Sequence, residues 1–380
     1  MERINIQPKF FLWALERSGK TESSIKSRFP KIADWLCGKA APTLKQLEKF
    51  AAATYTPLGY FFLNEPPEDK LPIPDFRTVN GQPERPSPNL LDTIQTMQSR
   101  REWMREFLVE EGQEPLSFIK SATLQADPVK VATEMHTILS LSNGWANTTR
   151  TWADALRLLR KAIEDAGVMI VINGVVGNNT HRPLDVAEFR GFALVDEYAP
   201  LIFINGCDSK SAQMFTVIHE LSHLWLGFEG VSNFDELQPV ETNVEILCNQ
   251  VAAEFLVPSD EFKKVLERNP IGNDDGVFQN IARRFKVSPL VVGRRALDMK
   301  YISKERFFEF YNNYAKESKK LKPKRDGGNF WNTQIVRIGE LFGGAVAQAT
   351  LEGRLLYRDA YRLTGLHGKS FDKYVAQLGF

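Results

Sequence analysis

Apolar residues recur at helical spacing along most of this chain and at strand spacing only in a short central part. Phe215, Ile218, Leu221, Leu224 and Trp225 lie three and four apart, with Asp208 and Ser209 ahead of them as N-cap chemistry and Gly227 behind to end the helix. Val244, Leu247, Val251 and Phe255 draw a second stripe between Val240 and Pro258, where the proline stops the helix. Earlier amphipathic patterns predict helices from about Asn89 to Glu111, Asp127 to Leu141 and Thr151 to Ala166. Between these groups VMIVI, Val168 to Ile172, predicts a buried strand. EFRGFALVDEYAPLIFING, Glu188 to Gly206, predicts two more strands joined by a turn around Asp196 to Pro200. Three helical stretches close the chain, near Trp331 to Thr350, Arg354 to Thr364 and Ser370 to Gly379.

Two breaks punctuate this pattern. Prolines crowd EPPEDKLPIPDFRTVNGQPERPSP, Glu65 to Pro88, which therefore sustains neither helix nor central strand and reads as a linker laid over a neighbouring surface. The second break is KKLKPKRDGG, Lys319 to Gly328, a solvated basic connection. The expected organisation is a helical module at 1–64, a linker at 65–88, a central domain at 89–318 and a helical extension at 319–380. The fold class is α+β: mostly helical, with a small sheet beside the helix at 215–227, flanked by helical N- and C-terminal domains.

Composition adds little pull in any direction. The 380 residues are 43% hydrophobic and 25% charged, and 48 Lys and Arg balance 47 Asp and Glu, so no global charge draws the chain to nucleic acid or membrane. There is no run of eighteen apolar residues, and MERINIQPKFF carries neither the apolar core nor the cleavage site of a signal peptide, so a cytoplasmic location and no membrane partner are expected. Cys37, Cys207 and Cys248 form no C-x-x-C pair and are expected to be reduced.

The chemistry is concentrated in FTVIHELSHLWLG, where His219, Glu220 and His223 form H-E-x-x-H. Residues four apart share a helix face, so the two imidazoles close on one metal ion from consecutive turns. Glu220 lies one position along, about 100° round the helix, where its carboxylate reaches a water beside the ion and serves as general base. A catalytic zinc takes a further protein ligand, and the downstream helix offers Glu241, Glu245 and Glu254, with Cys248 a less favoured neighbour.

The block E-x-x-C-N-x-x-A-A-E-F-L-V-P, Glu245 to Pro258, resembles the one that follows H-E-x-x-H in ImmA/IrrE-type metallopeptidases, and the hairpin at 188–206 is also typical of that family. The resemblance implies that Glu245 is the third zinc ligand, leaving Glu241 and Glu254 as solvated surface. Asn249, four residues on, is expected to orient the Glu245 carboxylate. His181 and Arg190 are the residues expected to stabilise an oxyanion. The family implies a zinc-dependent endopeptidase whose substrate is a regulatory protein such as a repressor. An exposed strand edge beside the metal helix would hold that substrate extended.

WLCGKAAPTLKQLEKFA, Trp35 to Ala51, resembles the second half of an Xre-type helix-turn-helix, which places helix two at Glu22 to Phe29 and the reading helix at Pro30 to Cys37. Ten basic against six acidic residues up to Glu65 suit contact with DNA, or the module docks protein instead. The competing reading of the whole chain is an antitoxin or regulator that binds DNA and a partner toxin without proteolysis. IARRFKVSPLVVGRRAL, Ile281 to Leu297, also has a helix-turn-helix cadence, and packing is its expected role.

Overall fold

A computed structural model describes residues 3–74, 85–232, 242–268, 270–272, 274–320 and 330–380, without the side chains of 317–320. It divides into two compact units, one of residues 1–72 and 78–95 and the other of residues 73–77 and 96–380.

In the first unit four helices, α1 Pro8–Arg17, α2 Glu22–Ile25, α3 Ile32–Leu36 and α4 Leu44–Ala53, enclose an aromatic core. Phe11, Trp35, Phe50 and Phe61 meet with ring centroids 5.4 to 6.1 Å apart. The P-T-x-x-Q of the Xre-like motif is a capping box: Thr43 and Gln46 cap the first turn of α4 reciprocally. Helices α2 and α3 are shorter than the sequence pattern suggests. Pro30 disfavours helical geometry at Phe29 and brings no N–H, so α2 ends early and α3 begins only after Lys31.

The second unit is α+β and mostly helical. Helix α5 Pro88–Glu110 belongs to this unit from Thr96 onward, and with α6 Pro128–Ile138 and α7 Trp152–Asp165 it precedes the strands β1 Met169–Asn173, β2 Val175–Val176, β3 Asn179–Pro183, β4 Gly191–Leu194 and β5 Leu201–Asn205. Helix α8 Lys210–Leu226 follows, capped by Ser209 and closed at Gly227, then β6 Gly230–Ser232 and α9 Asn243–Leu256, whose N-cap is Thr242. The main sheet runs β1-β5-β4-β6, with β1 parallel to β5 and the other neighbours antiparallel. Ile170, Ile172, Ile202 and Ile204 face a core shared with Val217, Ile218 and Leu221 of α8 and Phe255 of α9. Phe192 and Phe203 stack 5.0 Å apart across β4 and β5. The β2–β3 hairpin, short and largely exposed, has no counterpart among the predicted strands.

Helices α10 Ser259–Arg268, α11 Gly276–Phe285, α12 Pro289–Asp298 and α13 Lys304–Lys320 continue the chain. Glu254 is not the solvated surface residue expected. It is 8% exposed and pairs with buried Arg295 of α12, which also donates to Ser259 Oγ at 2.8 Å and Val257 O at 3.1 Å. Arg295 therefore serves packing, as expected for that segment.

The stretch expected as one helix from Trp331 is two, α14 Phe330–Ile338 and α15 Glu340–Leu351, followed by α16 Tyr357–Thr364 and α17 Lys369–Gln377. Gly339 breaks it. Its φ of 89° is open to glycine, and a Cβ there would meet Ile170 O at 3.1 Å and Glu164 Oε1 at 3.3 Å.

Candidate metal centre

Helices α8 and α9 lie against each other and bring their polar residues together below the sheet. The chain buries His219, Glu220 and His223 completely and leaves Glu245 7% exposed. His219 Nε2 and His223 Nε2 are 3.0 Å apart, and the Glu245 carboxylate bridges them, Oε2 3.1 Å from His219 and Oε1 3.1 Å from His223. Donor atoms at roughly 2.0–2.1 Å from one tetrahedral ion would lie about 3.3 Å apart. The fit is chemical as well as metric, because converging lone pairs in a dry interior are costly unless a cation lies among them.

Asn249 takes a different place from the one expected. Its Oδ1 accepts from His219 Nδ1 at 3.0 Å, which fixes the tautomer that leaves Nε2 as the donor toward an ion. Burial works to raise the Glu245 pKa, but the charges and hydrogen bonds of His219 and His223 outweigh it and hold the carboxylate well below its usual range. Burial lowers the His219 pKa despite the opposing pull of Glu245.

Glu220 is the outlier of the cluster. Among the described residues neither of its oxygens meets a hydrogen-bond partner. Burial, then the charge of Glu245, pushes its pKa well above the usual range, and the Ser232 hydroxyl of β6 lies near enough to temper that shift without meeting hydrogen-bond geometry. Its space comes from Gly191 of β4, where a Cβ would fall 3.0 Å from Glu220 Oε1 and 2.8 Å from Thr216 Cγ2. Gly191 and Ser232 carry no motif of their own. The one signal available was a glycine within an apolar strand pattern, which marks close approach of a neighbour.

Cys248 also reaches this centre. Its sulfur and one ring nitrogen of each histidine lie within 4.8 Å of one another. That grouping omits Glu245, yet the carboxylate oxygens are the atoms at 3.1 Å, so Glu245 is the nearer donor and Cys248 its neighbour. Burial pushes the Cys248 thiol pKa up, and the charges of Glu245 and Glu220 add to it. None of the three cysteines forms a disulfide; Cys37 and Cys207 are exposed and Cys248 is buried.

The remaining expected site residues are not joined to the cluster. His181 is exposed on β3. Arg190 directs its guanidinium to Asp208, 3.3 Å away beside the first turn of α8, whereas the histidines occupy the last turns of that helix. Glu241 lies outside the described residues.

Residues 163–297 match the Peptidase_M78 family, described as the IrrE N-terminal-like domain. The match runs from the last residues of α7 to α12 and includes every residue of the cluster, and it supports both a peptidase and the ImmA/IrrE resemblance. Residues 338–377 match a domain of unknown function, DUF8813, which takes in α15, α16 and α17. Comparison with curated proteins gives no match. No helix among the described residues is long and apolar enough to cross a membrane.

Proposed function

We propose that this chain is a zinc-dependent endopeptidase acting on a regulatory protein such as a transcriptional repressor. The observation that carries the reading is the convergence of His219, His223 and Glu245 at 3.0 to 3.1 Å beside a buried carboxylate, Glu220, whose oxygens meet no hydrogen-bond partner among the described residues. Zinc bound there would polarise a scissile carbonyl and acidify an attacking water. Glu220 takes the proton of that water and delivers it to the departing amine nitrogen. A cation held by the three donors would oppose the upward push of burial on the Glu220 pKa and favour the carboxylate that accepts the proton. Asn249 positions His219, and Glu245 supplies the negative charge that a dication needs in a dry site.

Purified full-length chain is expected to carry about one zinc, close to none in His223→Ala or Glu245→Ala, and wild-type levels in Glu220→Gln. Proteolysis in Glu220→Gln should drop by about two orders of magnitude or more. Wild-type protein free of metal after purification without chelators would sink the reading. A chain acting by binding alone would keep its cellular function in Glu220→Gln, whereas a peptidase loses it.

A further inference from the structure

The outer edge of β6 is already occupied, and by this chain itself. Among the described residues β4 is the one strand paired with β6, so the other side of β6 is open to a further partner beside the candidate centre. Ser232 of this strand neighbours Glu220, and its ladder partner is Gly191, against which Glu220 packs. The adjacent outward N–H, that of Val231, donates to Pro74 O at 3.1 Å. Ile73, the residue before it, is 5% exposed, in contrast to its exposed neighbours Pro72 and Pro74. Ile73 and Pro74 group with the second unit, although the chain up to Pro72 groups with the first.

We propose that the outer edge of β6 is a docking edge for an extended peptide with one aliphatic anchor, and that Ile73–Pro74 is its resident occupant. The proposal rests on the peptidase reading and gives that reading its substrate-binding surface. A carbonyl accepting from an edge-strand N–H is the bond an added strand makes, and an alternate side chain in a pocket is how such strands are selected. The prolines flanking Ile73 limit the bonds the occupant can make. Neither Pro72 nor Pro74 has an N–H to donate, so this segment cannot complete a ladder that a peptide without proline could. Tethering compensates, since a covalently attached segment competes at a high effective concentration. The bond between Ile73 and Pro74 is a tertiary amide whose nitrogen carries the proline ring, which sets the resident segment apart from an ordinary peptide substrate.

The test is hydrogen exchange at the Val231 amide of the full-length chain, with the β5 amides of Ile202 and Ile204 as a reference for an intact sheet. Ile73→Glu, and more mildly Ile73→Ala, should accelerate exchange at Val231 by about tenfold or more and leave the β5 amides unchanged. A synthetic capped peptide of sequence Leu-Pro-Ile-Pro should restore protection in Ile73→Glu, and cleavage of unfolded casein by that variant should rise severalfold over wild type. Unchanged Val231 exchange in both variants overturns the proposal. So does faster exchange with neither re-protection by the peptide nor increased cleavage. Re-protection without cleavage by any form, wild type included, retains the docking edge and removes the peptidase reading instead.

Discussion

Glu220 and Gly191 belong to one device: the carboxylate, with no hydrogen-bond partner among the described residues, fits in a dry interior only where the facing strand leaves it room. A Cβ at position 191 would lie 2.8 Å from Thr216 Cγ2, 3.0 Å from Glu220 Oε1 and 3.0 Å from Phe203 O, and the last is backbone that cannot step aside. Gly191→Ala is therefore expected to cost about 1–3 kcal/mol, the usual range for overpacking a filled core. It should also displace the Glu220 carboxylate, so that peptidase activity falls further than stability alone would account for. Denaturant midpoints and specific activity measured together check this, and a variant as stable and as active as wild type would show that Glu220 does not rest on Gly191. At this scale H-E-x-x-H was legible because its spacing is chemically constrained. Gly191 and Ser232 were not, because what they do depends on a helix that reaches them only after folding. Glu254 was misjudged for the same reason, since its partner Arg295 lies 41 residues downstream.

Helix boundaries and caps follow local rules, and the long amphipathic helices were legible to within a few residues at most ends: α5 against Asn89 to Glu111, and α7 against Thr151 to Ala166. The junction between α14 and α15 was not, because it is set by a distant side chain. Glu164 of α7 accepts from the N–H groups of Glu340 at 2.6 Å and Leu341 at 3.2 Å, and so caps α15 from outside its own sequence. Arg160 joins in, with Nη2 2.6 Å from Glu340 Oε1 and Nε 3.7 Å from Glu164 Oε2. Burial pushes the Glu164 pKa up to about 7 from 4.5, against the opposing charge of Arg160. A carboxyl whose pKa is raised on folding favours the folded state most when protonated. Its contribution is therefore complete below about pH 4.5 and lost as pH rises to about 7, by up to about 3 kcal/mol. Glu164→Gln keeps an acceptor for the two N–H groups and removes the ionisation. Relative to wild type it should gain about 1–3 kcal/mol on going from about pH 5 to pH 8, read from denaturant midpoints. An equal difference at both pH values would mean that Glu164 is not strained by its burial.

For the molecule as a whole, the division into two compact units sets how it should answer to removal of the proposed metal ion. The residues that converge as donors, His219, His223 and Glu245, all belong to the second unit, on two helices whose packing joins the sheet to α6. The first unit has its own aromatic core and its own buried ion pair, Arg17 with Asp69 at 2.8 Å. An ion that binds only the folded site stabilises it by mass action, with about 4 kcal/mol at a free concentration a thousandfold above the dissociation constant. Removing it returns four closely spaced polar atoms to a dry interior with nothing between them. Chelation should thus raise hydrogen exchange across α8 and α9 by one to several orders of magnitude, by roughly tenfold for each 1.4 kcal/mol lost. Peptides from α1 to α4 should keep their protection throughout, because no donor to the ion lies there. The α5 helix, which crosses the unit boundary at Gln95, supplies an internal measure of coupling: its residues beyond Thr96 should follow the second unit if the units unfold separately. Loss of protection spread evenly over both units would make the chain a single cooperative body, and no response anywhere would remove the metal from its stability altogether.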